Sequence, residues 1–304
     1  MDMLITGGTG FIGTAVTKRL SEAGNCLTVI DLPGQIARSQ IPGVKYVSAD
    51  ISDYSALLNL SLENNEYIFH LASQTSSLIS QENPTFDVDT NVKGTLNVCR
   101  IAERAGAKLI FTSSMAVYGD QEKPIDEGCQ PNPKSNYGAS KISAETYIKM
   151  FSSRGVDYTI FRLFNVYGPG QDLENMKQGM LSIFLSQLLK KNRIDVTGSF
   201  DRFRDFIYID DVVEALLVGM NALSSQQVYN VGTGHKTTVG TLIDMLIHQS
   251  GASAVPVRNV GSFNEDQFGT CSNSKKLRSM GWTPKVGLQE GIIKTIKDAR
   301  EILK

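Results

Sequence analysis

Thr6-Gly-Gly-Thr-Gly-Phe-Ile-Gly13 holds two overlapping glycine spacings, Gly8-x-Gly10-x-x-Gly13 and Gly7-x-x-Gly10-x-x-Gly13. An apolar run at residues 4–6 precedes it, and a helical pattern at 11–23, stopped by Gly24, follows it. That context gives the glycines a mechanism. They permit a tight turn and bring the backbone close to a pyrophosphate, which the free N–H groups and partial positive charge of a helix N-terminus then attract. Gly7, Gly10, Phe11, Ile12 and Gly13 are therefore the expected dinucleotide contacts. A second apolar run, 27–30, leads to Asp31, eighteen residues after Gly13. An acid at that place accepts from ribose hydroxyls and repels a 2′-phosphate, favouring NAD over NADP. The third run, 45–48, is followed by Asp50 and Ile51, which either flank the adenine or simply form a turn.

Outward from this loop, short β-branched or aromatic runs recur at 67–71, 109–112 and 158–163, with helical patterns at 91–105, ended by Gly106, and 141–152. Strands alternating with helices predict a doubly wound α/β domain, a parallel sheet covered on both faces. The second half is less regular. Loops are expected at 168–171 and 201–204 and helices at 181–189, 211–223 and 239–249. The domains predicted are 1–165, binding the dinucleotide, and 166–304, a smaller α/β lobe, with a soft boundary near Asn165 that the chain is free to cross.

Composition narrows the function. The 304 residues carry 30 basic and 31 acidic side chains, and a net charge of −1 argues against a nucleic-acid binder. No apolar run reaches the ~20 residues needed to span a bilayer. The first strand begins too early to leave room for a signal peptide. Four scattered cysteines without CxxC spacing read as reduced thiols of a cytoplasmic protein, and three distant histidines predict no metal site.

Tyr137-Gly-Ala-Ser-Lys141 puts a phenol and an ammonium one helical turn apart, and Ala144 and Ile148 continue that stripe toward a core. A phenol titrates near ~10, so using it as a base at neutral pH means lowering it by ~3 pH units, or ~4 kcal/mol. A nearby ammonium and an oxidised nicotinamide act in that direction. Ser113 and Ser114 follow the run 109–112, where a hydroxyl can hold a substrate oxygen. Alone, the Tyr-Lys pair reads as a surface pair and the serines as a turn; beside a nucleotide loop they read as a proton-transfer site.

At this point the chain resembles the extended short-chain dehydrogenase/reductases of the nucleotide-sugar epimerase/dehydratase group. The marks are the glycine loop, His70-Leu-Ala72, Asn91-Val-Lys-Gly-Thr95, Thr112-Ser-Ser-Met-Ala-Val-Tyr-Gly119 and Tyr137-x-x-x-Lys141. Further on come Phe161-Arg-Leu-Phe-Asn-Val-Tyr-Gly-Pro169, Arg204-Asp-Phe-Ile-Tyr-Ile-Asp-Asp211 and Tyr229-Asn-Val-Gly-Thr-Gly234. The resemblance implies a Rossmann domain holding NAD, with Leu71, Ala72 and Asn91 among its contacts, and a lobe gripping a nucleoside diphosphate sugar. It implies Tyr137 as base, Lys141 on the nicotinamide ribose and tuning Tyr137, and Ser114 at the sugar hydroxyl. Asn165 and Arg204 match positions that contact the diphosphate, and Gln178 stands approximately where those relatives carry an Asn that touches it. A guanidinium fork suits phosphate; the alternative for Arg204 is an ion pair with Asp201, Asp205 or Asp210.

Dehydratase relatives carry an Asp-Glu pair where this chain has Met115 and Ala116, and decarboxylase relatives a Glu at the second position. Hydride transfer with one proton at one carbon remains, which fits a 4-epimerase acting on UDP-glucose, UDP-galactose or an N-acetyl analogue. A 4-keto-6-deoxy sugar reductase using NAD(P)H fits nearly as well, and a non-catalytic NAD-binding regulator less well. The stretch 261–269 lacks the diphosphate Arg of many 4-epimerases, leaving Arg258 as a substitute or a different grip. Gly269 falls near the position limiting the sugar's C2 substituent, where a small residue implies room for an N-acetyl group. The resemblance also implies a homodimer through helices 91–105 and 143–151, whose apolar faces could instead cover only the sheet.

Overall fold

The computed structural model describes all residues except 37–39, 61, 63, 122 and 262–266. Within it the chain forms two compact units. The first is Met1–Val117, Ser135–Arg162 and Val213–Tyr229; the second is Tyr118–Lys134, Leu163–Val212 and Asn230–Lys304. The main change of unit, between Arg162 and Leu163, lies close to Asn165, while 118–134 and 213–229 belong with the unit opposite to the one their position in the sequence suggests.

A seven-stranded sheet dominates the first unit. Its strands are β1 (Asp2–Thr6), β2 (Cys26–Asp31), β3 (Lys45–Ser48), β4 (Tyr67–His70), β5 (Lys108–Ser114), β6 (Tyr158–Leu163) and β7 (Gln227–Val231). Their spatial order is β7-β6-β5-β4-β1-β2-β3. β1 pairs in parallel with β2 and β4 (Ile5 opposite Val29 and Phe69), so the strand order reverses between β1 and β4. Ligands of open α/β sheets bind beyond the carboxyl ends at such a point. The six strands predicted from apolar runs are all present. β3 ends at Ser48, however, so Asp50 and Ile51 lie in the following turn, where Asp50 Oδ1 accepts from Ser52 N (2.8 Å).

Helices Phe11–Glu22, Gly94–Ala105 and Asn136–Ser152 bury one face each. Leu4, Ile30, Ile68, Leu109, Phe111 and Ile160 of the sheet pack with Val98, Ala102, Ala144, Ile148 and Phe151. The last helix starts five residues earlier than its apolar repeat predicts, because Ser135 Oγ accepts from Gly138 N (3.1 Å) and caps it. Tyr137 therefore sits in its first turn. The helix expected over 91–105 opens instead with a π-helical turn, Asp89–Lys93, that carries Asn91. It ends as predicted at Gly106, in the left-handed region with φ 63°.

The second unit has short strand pairs: Asn165–Tyr167 parallel to Phe206–Tyr208, Phe203–Arg204 antiparallel to Thr237–Thr238, and Ile194–Val196 parallel to Val257–Asn259. Residues 203–204, expected in a loop, are thus strand. Helices Met180–Lys191, Val239–Ser250 and Leu288–Ile302 complete it. Among the described residues no helix is long and apolar enough to cross a membrane, and no group of three or more His, Cys, Asp or Glu could hold a metal ion.

Candidate active site

The glycine loop is a close-packed cradle. A Cβ at Gly13 would meet Gly7 O at 1.9 Å, and one at Gly7, whose φ is 71°, would meet Ala72 N at 2.5 Å. The loop after β1 and the segment after β4 approach so closely that neither position admits a side chain. Gly10, in contrast, is exposed and has only Gly7 O within 4 Å of its Cβ direction. As N-cap it offers no side-chain acceptor to the Phe11–Glu22 helix. The uncapped turn faces outward, as a pyrophosphate seat requires.

Asp31 closes β2 beside this loop. Its Oδ2 accepts from Thr9 N (3.1 Å) and Thr9 Oγ1 (2.6 Å), and its Oδ1 from Leu32 N (2.9 Å). The carboxylate thus braces the glycine loop as well as standing where a ribose would be met. Leu71 N and Ala72 N donate to Thr6 O (3.1 Å) and Thr6 Oγ1 (3.3 Å), tying that segment to the end of β1. Asp50 is exposed, while Ile51 is buried and its carbonyl accepts from Asn97 Nδ2 (2.9 Å).

Ser114 ends β5, and Tyr137 and Lys141 project from one face of the Asn136–Ser152 helix. The Ser114 side chain lies close enough to the Tyr137 phenol to favour its ionisation. Lys141 Nζ donates to Ser73 Oγ (3.1 Å) and lies 4.6 Å from the centre of the Phe111 ring. The electrostatics differ from the sequence-based expectation. Burial pushes the Tyr137 phenol up to about 12; the Ser114 hydrogen bond offsets part of this, and the charge of Asp87 adds to it. Lys141 is not among the causes acting on the phenol. The same burial pushes the Lys141 ammonium down to about 7, against the pull of Asp87 and Glu145. Desolvation dominates at both groups, so the protein alone leaves the phenol protonated.

Sequence inspection passed over the polar residues that hold these groups. Asn91, expected to touch the cofactor, is buried with its whole amide engaged. Its Oδ1 accepts from Ser73 Oγ (2.8 Å) and Gln74 N (2.9 Å); its Nδ2 donates to Gln74 O (2.9 Å), Asp87 Oδ1 (3.1 Å) and Ser140 Oγ (3.1 Å). Four residues after Lys141, Glu145 receives both Arg162 Nε (2.9 Å) and Nη2 (2.7 Å), plus Ser113 Oγ (2.6 Å). The signals were present: Ser73 and Gln74 follow the His70-Leu-Ala72 motif, and Glu145 extends Tyr137-x-x-x-Lys141 by one turn. Met115 and Ala116 lie in a 3₁₀ turn, Met115–Val117, beside Ser114.

In the second unit Asn165, Arg204 and Gly269 come together. Asn165 N donates to Asp205 O (3.0 Å), and Arg204 Nη1 donates to Phe203 O (2.8 Å) and Phe268 O (3.1 Å). Burial, reinforced by the charge of Arg202, lowers the Arg204 guanidinium to about 10, while Asp120 pulls it back up. Asp205 is committed elsewhere, accepting from Thr233 N (2.9 Å), Gly234 N (2.9 Å) and Ser272 N (3.0 Å). Gln178 is exposed before the Met180–Lys191 helix, and Arg258 is exposed on Val257–Asn259. A Cβ at Gly269 would meet Phe203 ring carbons at 2.4–2.6 Å, so the missing side chain lets the Phe203 ring pack against this backbone. Residues 262–266 of the stretch lacking the diphosphate Arg lie outside the described residues.

Comparison with known proteins identifies the family. Residues 3–232 match the family model for the NAD dependent epimerase/dehydratase family. The UDP-glucose 4-epimerase of Mycolicibacterium smegmatis is 32% identical over 307 residues, covering 98% of each chain. The dTDP-4-dehydro-6-deoxyglucose reductase of Escherichia coli is 30% identical over 318 residues, covering 98% of this chain and 97% of its own. The crystal structure of UDP-glucose 4-epimerase with UDP-glucose from Thermotoga maritima superimposes with a TM-score of 0.95 at 34% identity, over 100% of both chains. With its glycine cradle, strand order and Ser-Tyr-Lys group in place, this chain belongs to the NAD-dependent epimerase/dehydratase family, the extended short-chain dehydrogenase/reductases that act on nucleotide sugars.

Proposed function

We propose that this chain is a nucleotide-sugar 4-epimerase interconverting UDP-glucose and UDP-galactose or their N-acetyl analogues. The observation that carries the proposal is Tyr137 grouped with Ser114 and with buried Lys141, while Met115 and Ala116 offer no second acid or base. Tyr137 takes the proton of the C4 hydroxyl as C4 is oxidised and gives it back on reduction. Ser114 holds the C4 oxygen, and Lys141 supplies charge to the phenol and a donor to ribose. NAD held in the glycine cradle would supply the acceptor and store of the C4 hydride and a positive charge favouring the phenolate, and would be left unconsumed by an epimerisation.

Gly7, Gly10, Phe11, Ile12 and Gly13 would hold the pyrophosphate, Asp31 the adenosine ribose, and Asp50 and Ile51 the adenine. Leu71 and Ala72 would line the nicotinamide side, with Asn91 ordering the segment that follows them. Asn165, Gln178 and Arg204 are assigned to the sugar diphosphate, with Gly269 placing Phe203 beside them. The dimer would form through residues 91–105 and 143–151, and a light-scattering mass of one chain would remove that part of the proposal.

Proton NMR of the protein with UDP-galactose or UDP-N-acetylgalactosamine and catalytic NAD⁺ tests the function. The gluco epimer's anomeric signal is expected, and Tyr137→Phe abolishes it. If neither sugar changes while NAD binds, the second reading takes over: a 4-keto-6-deoxy sugar reductase, supported by the similarity to the Escherichia coli reductase.

A further inference from the structure

Asp87, in the short Pro84–Val88 helix, is fully buried and has no part in the mechanism above. Its Oδ1 accepts from two neutral amides, Gln74 Nε2 (2.5 Å) and Asn91 Nδ2 (3.1 Å). Its Oδ2 is buried without a hydrogen-bond partner. A buried carboxylate with one bare oxygen is costly unless a cation compensates it. A continuous path leads to one. Asn91 Oδ1 accepts from Ser73 Oγ (2.8 Å), and Ser73 Oγ accepts from Lys141 Nζ (3.1 Å).

Four titratable groups face Lys141: Asp87, Glu145 and Tyr137, together with His70 from β4. Glu145 already receives Arg162 and Lys149. His70 lies between Thr6 Oγ1 (2.7 Å) and Thr95 Oγ1 (3.0 Å), and Tyr137 has Ser114 beside it. Asp87 is left as the carboxylate whose charge Lys141 answers.

We propose that Asp87 is a positioning residue: through Asn91 and Ser73, its buried carboxylate keeps Lys141 an ammonium and holds it in place. Burial brings Lys141 down to about 7, and Asp87 is the larger of the two charges resisting this. Without Asp87, Lys141 loses its proton below neutral pH, and with it the charge that Tyr137 requires. That catalytic consequence rests on the proposed function; the ionisation of Lys141 does not.

Asp87→Asn is the direct test. It keeps the accepting Oδ1 and replaces only the bare oxygen, so shape and both hydrogen bonds are retained. The protein, labelled with ¹³C at lysine Cε, is titrated by NMR without sugar or cofactor, and Lys141 is identified by its absence in Lys141→Arg. The Lys141 midpoint is expected to fall by about one pH unit or more in Asp87→Asn. Ser73→Ala, which cuts the path at its last hydroxyl, lowers it by less and carries the test if Asp87→Asn does not fold. An unchanged midpoint in either folded variant overturns the path. In turnover, Asp87→Asn moves the Lys141 limb of the pH profile to lower pH, whereas a merely structural role lowers kcat at every pH alike. Because the titration needs no substrate, a failure to turn over any sugar leaves it interpretable.

Discussion

Two buried polar clusters sit one helical turn apart on the Asn136–Ser152 helix, and they are built on opposite terms. Around Glu145 the cluster is closed. Burial alone would raise its carboxyl, but Arg162, Ser113 and Lys149 together hold it below its ordinary value. Around Lys141 the cluster is open, with an ammonium, a protonated phenol, a neutral imidazole and a carboxylate with a bare oxygen. The closed cluster ties β5 and β6 to the helix. The open one keeps its electrostatics unbalanced, and such imbalance marks a place where a ligand completes the balance. The same helix thus anchors the sheet at one turn and presents chemistry at the next.

Acid should break the open cluster first. Burial, helped by the charge of Lys141, holds His70 down to about 3, against 6.5 in the unfolded chain. Between those values the unfolded chain binds a proton that the folded chain refuses, so stability falls as pH falls through this window, by up to ~5 kcal/mol. Denaturant unfolding between pH 7 and pH 4 should show the loss, and His70→Asn should flatten the slope. The contribution of Glu145, whose folded value is lowered, is complete above its unfolded value and is lost as pH falls from there through the folded one.

Tyr137→Phe should cost the open cluster its chemistry and little else. Turnover is expected to drop by roughly 10³- to 10⁴-fold, about 4–5 kcal/mol of barrier, with Tm and NAD binding retained. Conversely, Arg162→Met should damage the closed cluster alone. It strands Glu145 as a buried charge, at about 3–5 kcal/mol by chemical denaturation. Asp87→Asn, after which Lys141 can shed its proton and leave no buried charge behind, should cost less than half of that; equal losses would erase the distinction between the clusters. The smallest effect belongs to the glycine cradle. Asp31→Asn should weaken NAD about tenfold and narrow its advantage over NADP, as read by fluorescence titration.

Much of the first unit was legible because its elements announce themselves locally. Residues 158–163 are an apolar run bounded by turn residues, and β6 occupies that span. β7 escaped notice because Gln227–Val231 lies some sixty residues beyond β6 and joins the sheet only through tertiary pairing. The Tyr137–Lys141 pair was visible by spacing, but its electrostatics were not. Proximity of an ammonium suggests a lowered phenol, and burial, which no spacing reports, reverses the direction. Gly269 shows the same dependence on packing: the ring against it belongs to Phe203, distant in the chain.

What the sequence by itself determined is the family, the glycine cradle and the spacing of the proposed reacting groups. Those depend on backbone conformation and on residue type at short range: glycines that no Cβ can replace, an acid at a strand end, a phenol and an amine one turn apart. Only the tertiary structure decided the ionisation of those groups and which neighbours govern it. Asp87, Ser73 and Asn91 lie fifty or more residues before Lys141, and a charge acts through space and through the dielectric that packing creates.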